Sequence, residues 1–207
     1  EGYQYLGEVY YAMGTNMMSD FKNNGDNADS IKAMEYYTDA MNTLEEGIKK
    51  YPNNNEMLVA LTSAYIGANK VDVATNSAKA LVDKEPDNKF YRYNYGVLLL
   101  NSEKYPEAET QLLKAIEIDP DYENAIYNLG VNYVKWGTAM NKEAEAQGVI
   151  SDDYKKKYEM ALPYLEKVVE KDPENGQIWE LLGKVYSVLG MQEDATNAFN
   201  KADEFRQ

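Results

Sequence analysis

The sequence predicts an all-α protein built from helix pairs that repeat along the chain. Three of its six prolines, Pro52, Pro86 and Pro120, stand 34 residues apart, and each follows a helical pattern of apolar residues. Proline ends a helix because it lacks the N–H and its ring clashes with the preceding turn. Regularly spaced helix ends therefore indicate one helical unit that is repeated. The next interval, to Pro173, is 53 residues, so one unit carries 19 extra residues.

A residue pattern near the end of the chain gives the second observation. From Trp179 it reads Trp, two residues, Leu-Gly, two residues, Tyr, and it continues as Ala195, three residues, Phe199. We expect Gly183 and Ala195 to lie where two antiparallel helices approach most closely, since a larger side chain would force the helices apart. The pattern resembles the signature of the tetratricopeptide repeat. This resemblance implies a right-handed α-solenoid of about five helix pairs with one continuous core.

In this register the chain forms one solenoid domain of five repeats, with approximate bounds 1–53, 54–87, 88–121, 122–174 and 175–207. The second repeat matches the signature least. Thr62 stands where glycine is expected, and Ala78 stands where an aromatic residue is usual.

The first and fourth repeats each contain an insertion between their two helices, at about Thr15–Lys32 and Ala139–Tyr158. Each insertion has a polar, loop-like centre between sequences that are compatible with helix. We expect both helices of these pairs to be longer by about ten residues, or near three turns. Two helical hairpins would then protrude from the solenoid, a pattern similar to long-insert tetratricopeptide proteins of bacterial envelopes.

Composition excludes several classes of function. The net charge of −14 and the pI near 4.5 argue against binding to nucleic acids and to anionic lipid surfaces, which require basic patches. The chain has no cysteine and no histidine, which excludes thiol nucleophiles, imidazole bases, disulfides and the usual zinc sites. We therefore predict no enzymatic activity, no catalytic residues, no metal and no cofactor.

No run of 18 apolar residues that could insert in a membrane occurs in this segment. The chain begins within a helical pattern and lacks the regions of a signal peptide, so it is either cytosolic or an exported protein whose leader was removed. The 19 tyrosines, the many asparagines and the absence of cysteine favour an exported, periplasmic bacterial protein over a cytoplasmic one.

Three polar motifs have a chemical and a structural interpretation. Ser19-Asp20-Phe21-Lys22 has the spacing of a Ser–Lys nucleophile and base, but the other motifs of those enzymes are absent. Asn24, Asp26 and Glu35 occupy positions of a calcium loop whose other ligands and turn glycine are missing. Asp152-Asp153 could act as an acid–base pair. For all three we favour the structural interpretation, a solvated polar loop or a helix N-terminus.

The candidate binding surface follows from the resemblance. In tetratricopeptide solenoids the first helix of each repeat lines the concave groove. The residues of that helix that face the groove are those at positions outside the signature. Its tyrosines and amides suit contacts with a peptide backbone, although the tyrosines could instead pack against the neighbouring repeat. The predicted groove residues are Gln4, Glu8, Tyr11, Val59, Ser63, Ile66, Tyr93, Asn94, Val97, Asn101, Tyr127, Asn128, Val131, Lys135, Glu180 and Lys184.

We therefore predict a non-enzymatic scaffold that binds a peptide segment of a partner protein in its concave groove. The alternative is a structural or assembly subunit that interacts through its hairpins or ends, and the sequence leaves the oligomeric state open. The Lys, Asn and Arg set that clamps a C-terminal carboxylate in one tetratricopeptide subclass is absent, so a chaperone-tail adaptor is not expected.

Two local expectations concern the second helix of the fourth repeat and the end of the chain. Pro163 falls within that helix and should kink or break it after Glu159. No capping helix follows the fifth repeat, so Met191, Ala198 and Phe205 should be partly exposed or covered by another molecule.

Overall fold

A computed structural model describes residues 2–52 and 54–206. Within these ranges the chain forms ten α-helices and no strand, which confirms the predicted all-α class. The helices are α1 Gly2–Asn24, α2 Asn27–Lys50, α3 Asn55–Gly67, α4 Val71–Lys84, α5 Lys89–Asn101, α6 Tyr105–Ile118, α7 Glu123–Ala146, α8 Asp153–Lys171, α9 Gly176–Leu189 and α10 Gln192–Glu204.

The chain divides into two compact units. The first is Glu1–Ser102 and contains α1 to α5, and the second is Glu103–Gln207 and contains α6 to α10. In the first unit α1 packs against α2, both contact α3, and α3 contacts α5. In the second unit α6 and α8 both contact α7, and α9 packs between α8 and α10. Helix α4 packs mainly against α5 and approaches α3 closely at few positions.

The helix ends follow the proline spacing. Helices α2, α4, α6 and α8 each end two residues before a proline, at Lys50, Lys84, Ile118 and Lys171. Two residues after three of these prolines an asparagine caps the next helix, because its side-chain oxygen accepts a backbone N–H of the first turn. The capping residues are Asn54, Asn88 and Asn175.

Both predicted hairpins are present. Helices α1 and α2 continue through the first insertion and are joined at Gly25. The φ of Gly25 is 72°, in the left-handed region that glycine adopts easily. Helices α7 and α8 continue through the second insertion and are joined by the loop 147–152. The insertions therefore lengthen existing helices and add no separate domain.

Three helix pairs pack a glycine of the first helix against a large side chain of the second. A Cβ atom added at each glycine would lie 2.4–2.7 Å from the partner side chain, which is closer than real contacts allow. The glycines are therefore required for the helices to approach this closely. The pairs are Gly7 with Leu44, Gly130 with Leu165, and Gly183 with Phe199.

Tyrosine hydroxyls connect successive pairs. In each case the eleventh residue of a first helix is a tyrosine that donates a hydrogen bond to a glutamate on the second helix of the preceding pair. The donors and acceptors are Tyr65 with Glu45, Tyr133 with Glu109, and Tyr186 with Glu166. Burial and this hydrogen bond raise the pKa of all three tyrosines well above the ordinary value.

Two local expectations are corrected in part. Of the kink or break expected at Pro163, the break is absent, because α8 is continuous from Asp153 to Lys171 and carries the proline ring on its exposed side. At the end of the chain Met191 is exposed and Phe205 is partly exposed, as expected. Ala198 is buried instead, because it faces the inside of the α9–α10 pair together with Ala195 and Ala202.

Candidate functional site

Most of the predicted groove residues are at least partly accessible to solvent. They occupy the first helices of the pairs, as the resemblance implies. The accessible residues are Gln4, Glu8, Tyr11, Val59, Ser63, Ile66, Val97, Asn101, Tyr127, Asn128, Val131, Lys135, Glu180 and Lys184.

The expectation that Tyr93 and Asn94 are accessible is wrong. Tyr93 is 8% exposed and Asn94 is 2% exposed. The amide of Asn94 faces α3, where its oxygen accepts a hydrogen bond from the Thr62 hydroxyl at 2.7 Å, and its nitrogen donates to the carbonyl of Phe90 at 2.7 Å. A buried amide is stable only with such partners, so Asn94 has a structural role. Its counterpart Asn128 remains partly exposed.

Several accessible residues also have structural partners. The ring of Tyr11 packs against that of Tyr37, with centroids 5.8 Å apart. Gln4 donates to Glu8 on its own helix and to Glu56 on α3, at 3.1 and 2.8 Å. In the second unit Lys184 forms an ion pair with Glu180 at 2.7 Å, and burial raises the pKa of Tyr127.

The second helix pair, α3 and α4, departs from the packing of the others. At the position of the close glycine it has Thr62, and at the position of the large partner it has Ala78. The sizes are therefore reversed: the larger side chain is on the first helix and the smaller one on the second. Thr62 turns its hydroxyl to Asn94 of α5, and α3 approaches α4 closely at fewer positions than α9 approaches α10.

This reversal leaves an open cleft in the first unit. The cleft has a volume of about 580 Å³ and lies between α2, α4 and α5, with α3 as its floor. That volume is within the range of ligand-binding pockets. The lining is mainly apolar: Ile48, Leu58, Leu61, Tyr65, Ala74, Ala78, Leu81, Tyr91 and Leu98. Because Leu58, Leu61 and Leu81 are only half-buried, apolar surface is accessible at this site.

The cleft and the predicted groove lie on different faces of α3. The cleft uses Leu58, Leu61, Thr62 and Tyr65, which form one stripe at helical spacing. The groove positions Val59 and Ser63 lie about a third of a turn further round the helix. Ile66 lies between the two faces and packs against Ala74, Ala78 and Leu98 at the cleft.

The rim of the cleft is positively charged. Lys49 of α2 and Lys84 of α4 stand at its edge, and within the described residues neither forms a salt bridge. The carboxylate of Glu45, also in the lining, accepts the hydroxyl of Tyr65. The opening of the cleft thus carries two lysines without a described ion-pair partner, although the chain as a whole has a net charge of −14.

The cleft was not predicted from the sequence. Its signal was present, since Thr62 and Ala78 both depart from the repeat signature. Either departure alone indicates only a weak match to the repeat signature. A helix contact with the large and small residues exchanged is indicated only when Thr62 and Ala78 are recognised as the two residues of one contact. Lys49 and Lys84 carried no signal of their own, because lysines at the ends of helices are common.

The polar motifs have structural partners. Asp26 caps α2 by accepting the N–H of Ala28 at 2.9 Å, and Asn24 donates to Asp29 at 2.7 Å. Before α8, Ser151 accepts the N–H of Asp153 at 3.1 Å, while the N-cap residue Asp152 makes no side-chain capping bond. Among the described residues no cluster of acidic side chains could hold a metal ion. None of the helices there is both long and apolar enough to span a membrane.

Comparisons with known proteins agree with this architecture. A family model described as TPR repeat matches residues 96–137, which include all of α6. A crystal structure of MamA superimposes with a TM-score of 0.58 at 22% identity, covering 87% of this chain and 94% of that one. The thermophilic TPR protein TTC0263 of Thermus thermophilus gives a TM-score of 0.62 at 16% identity, covering 97% and 91%.

The chain therefore contains a tetratricopeptide repeat and has the fold of tetratricopeptide repeat proteins. Solenoids of stacked helical repeats present extended surfaces that bind other molecules. The likeness to these structures, below 25% identity, concerns the fold.

Proposed function

We propose that this protein is a non-enzymatic scaffold that binds an extended peptide segment of a partner protein along the predicted inward face of its first helices. The observation that supports the proposal is the arrangement of α1, α3 and α5 in the first unit. These helices contact one another in sequence and carry a row of accessible positions. The row consists of Glu8, Val59, Ser63, Ile66, Val97 and Asn101.

The chemistry of this row suits a peptide. Half-buried aliphatic side chains such as Val59 and Val97 provide apolar contact, while Asn101 and Glu8 are exposed and can bond to a peptide backbone. In the second unit Tyr127, Asn128 and Val131 of α7 are partly accessible at the corresponding positions, and we propose that this unit has a peptide-binding surface of its own.

A selection from a displayed peptide library, followed by fluorescence anisotropy with the selected peptides, tests the proposal. Ser63→Arg places a long charged side chain in the middle of the row and should weaken peptide binding at least tenfold. Asn76→Arg makes a similar change at an exposed position on α4 and should leave binding unchanged. Failure to select any peptide, or equal affinities for wild type and Ser63→Arg, would overturn the proposal.

The alternative function, assembly through the hairpins, is favoured by a separate observation. The hairpins carry exposed aliphatic residues that no described part of the chain covers, among them Ile31 at 64% and Val149 at 52% exposure. Accessible apolar side chains on a protruding element are typical of an interaction site.

A further inference from the structure

The loop between α7 and α8, which we call the tip, is apolar at its centre. Val149 is half exposed and Ile150 is fully exposed. The loop has a defined conformation, since Gly148 adopts a φ of 66° and the N–H of Val149 donates to the carbonyl of Ala144 at 2.9 Å. The fold therefore presents two adjacent aliphatic side chains to solvent at the end of a long hairpin.

Acidic residues surround these two side chains. The segment 143–153 contains Glu143, Glu145, Asp152 and Asp153 and no lysine or arginine, and Lys142 directly precedes it. Asp152 and Asp153 form exposed ion pairs with Lys155 and Lys156, at 2.8 Å each, on the following turn of α8. Among the described residues Glu143 and Glu145 hydrogen-bond only to amide side chains, those of Gln147 and Asn141. The tip is thus an aliphatic pair with an acidic border.

The cleft of the first unit has the complementary features. It is apolar inside, it is open to solvent, and Lys49 and Lys84 at its rim have no acidic partner among the described residues. Its volume of about 580 Å³ is large enough for two aliphatic side chains.

We propose that the tip of one copy of this chain binds in the cleft of a second copy. Val149 and Ile150 enter the apolar cleft over Leu61 and Ala78, and the acidic border of the tip faces Lys49 and Lys84. Apolar burial stabilises such a contact, while opposite charges at the rim set its orientation and its rate of formation. The proposal concerns other faces than the peptide-binding row and does not rest on it.

Tip and cleft are different surfaces, so the contact is heterologous. Each copy that uses its tip leaves its own cleft free for another copy. Such contacts produce a closed ring or an open chain of subunits, and not a simple two-fold dimer. Assembly should therefore depend on concentration and pass through several sizes.

Sedimentation velocity over a concentration series tests the proposal. For the wild type we expect a mean mass that rises with concentration beyond that of a dimer. Ile150→Asp removes the apolar contact at an exposed position, and Ala78→Leu fills the cleft with the residue that other repeats have there. Each variant should associate at least tenfold more weakly. Leu113→Asp, at an exposed position on α6 outside both hairpins and the cleft, is the matched control and should associate as the wild type does.

Mixing the two defective variants gives the decisive result. Ile150→Asp has a free cleft, and Ala78→Leu has a free tip, so their equimolar mixture should form a one-to-one dimer and nothing larger. Circular dichroism confirms that both variants fold. A wild type that stays monomeric at all concentrations would overturn the proposal, as would unchanged association of Ile150→Asp or a mixture that forms no dimer.

A second measurement is independent of apolar substitutions. Because the chain has no cysteine, single cysteines can be placed at will. Ser77→Cys at the cleft and Ser151→Cys at the tip should form a disulfide between copies when mixed and oxidised. Ser77→Cys mixed with Ser19→Cys of the first hairpin should not. Equal yields in the two mixtures would contradict the proposed contact.

Discussion

The second and fifth helix pairs follow the same repeat register but differ in how their helices meet. In the fifth pair, α9 and α10, Gly183 lies against the ring of Phe199, and Leu182 is completely buried. In the second pair Thr62 and Ala78 occupy the two contact positions, and Leu61, the counterpart of Leu182, is half-buried at the cleft. A few shared positions thus define where each repeat begins and ends. The sizes of the two residues at the helix contact determine whether the two helices of a pair pack closely.

The open pair has an energetic consequence. Accessible apolar side chains lose the stabilisation of about 25 cal/mol for each Å² that burial would provide. Large contiguous apolar patches on a protein surface often mark interaction sites. We therefore interpret the second pair as less stable than the others, because part of its apolar surface is exposed in the cleft and is not buried between α3 and α4.

The largest difference between the two pairs should appear on truncation of their equivalent leucines. Leu182→Ala leaves a cavity in a closed core and should lower the free energy of unfolding by about 3–5 kcal/mol. Leu61→Ala removes a side chain that is already half exposed and should cost about 1–2 kcal/mol. Urea unfolding measures both, and equal losses would show that the second pair is closed in solution.

A double-mutant cycle at Gly183 and Phe199 introduces the residue sizes of the second pair into the fifth pair and measures whether the two positions act together on stability. Gly183→Thr alone forces a side chain against the Phe199 ring and should cost about 2–3 kcal/mol. Phe199→Ala alone should cost about 3 kcal/mol. In the double variant the ring is absent, so we expect a loss at least about 1 kcal/mol smaller than the sum. Additive losses would mean that the two positions do not determine closure together.

Introducing the large residue of the other pairs at position 78 should stabilise the second pair. Ala78→Leu fills part of the cleft beside Leu61 and Leu98, and it should raise the free energy of unfolding by about 1 kcal/mol. Lys79→Leu, at the neighbouring exposed position, is the control and should change it by less than about 0.5 kcal/mol. A loss of stability on Ala78→Leu would show that the cleft has no room for the added atoms.

A smaller effect should be common to both pairs. Tyr65 and Tyr186 donate equivalent hydrogen bonds to Glu45 and Glu166, so each Tyr→Phe substitution should cost about 1 kcal/mol at pH 7. The folded-state pKa of both tyrosines lies above the unfolded value of about 10. Their contribution is therefore complete below pH 10 and is lost as the pH rises above it.

Urea midpoints of wild type and the two phenylalanine variants, measured from pH 8 to 11, test this dependence. The difference between wild type and each variant should shrink above about pH 10. A difference that stays constant to pH 11 would contradict the raised pKa values.

The sequence was sufficient for the features that depend on local chemistry. The proline spacing gave the helix ends, the signature around Gly183 gave the pairing, and the helix-compatible insertions gave both hairpins. It was insufficient where the outcome depends on contacts distant in sequence. Asn94 is buried because the Thr62 hydroxyl, 32 residues away, reaches its amide. Helix α8 continues through Pro163 because the ring lies on the exposed side, which the spacing alone did not determine.

The candidate site was only partly predictable for the same reason. The resemblance to tetratricopeptide repeats placed most of the proposed row on accessible faces. The cleft requires that Thr62 and Ala78 be opposite each other and that α4 does not move in to close the gap. The apolar centre of the tip, Val149 and Ile150, was visible in the sequence, but its exposure depends on the turn at Gly148.

Hydrogen–deuterium exchange of the two pairs tests the central claim most directly, namely that the second pair is open where the fifth is closed. The Ile150→Asp variant, which should not self-associate, allows the exchange to be followed on the monomer. We expect the amides of α4 to exchange clearly faster than those of α10, because α4 closely approaches its pair partner α3 at far fewer positions than α10 approaches α9. Equal protection of α4 and α10 would contradict the account.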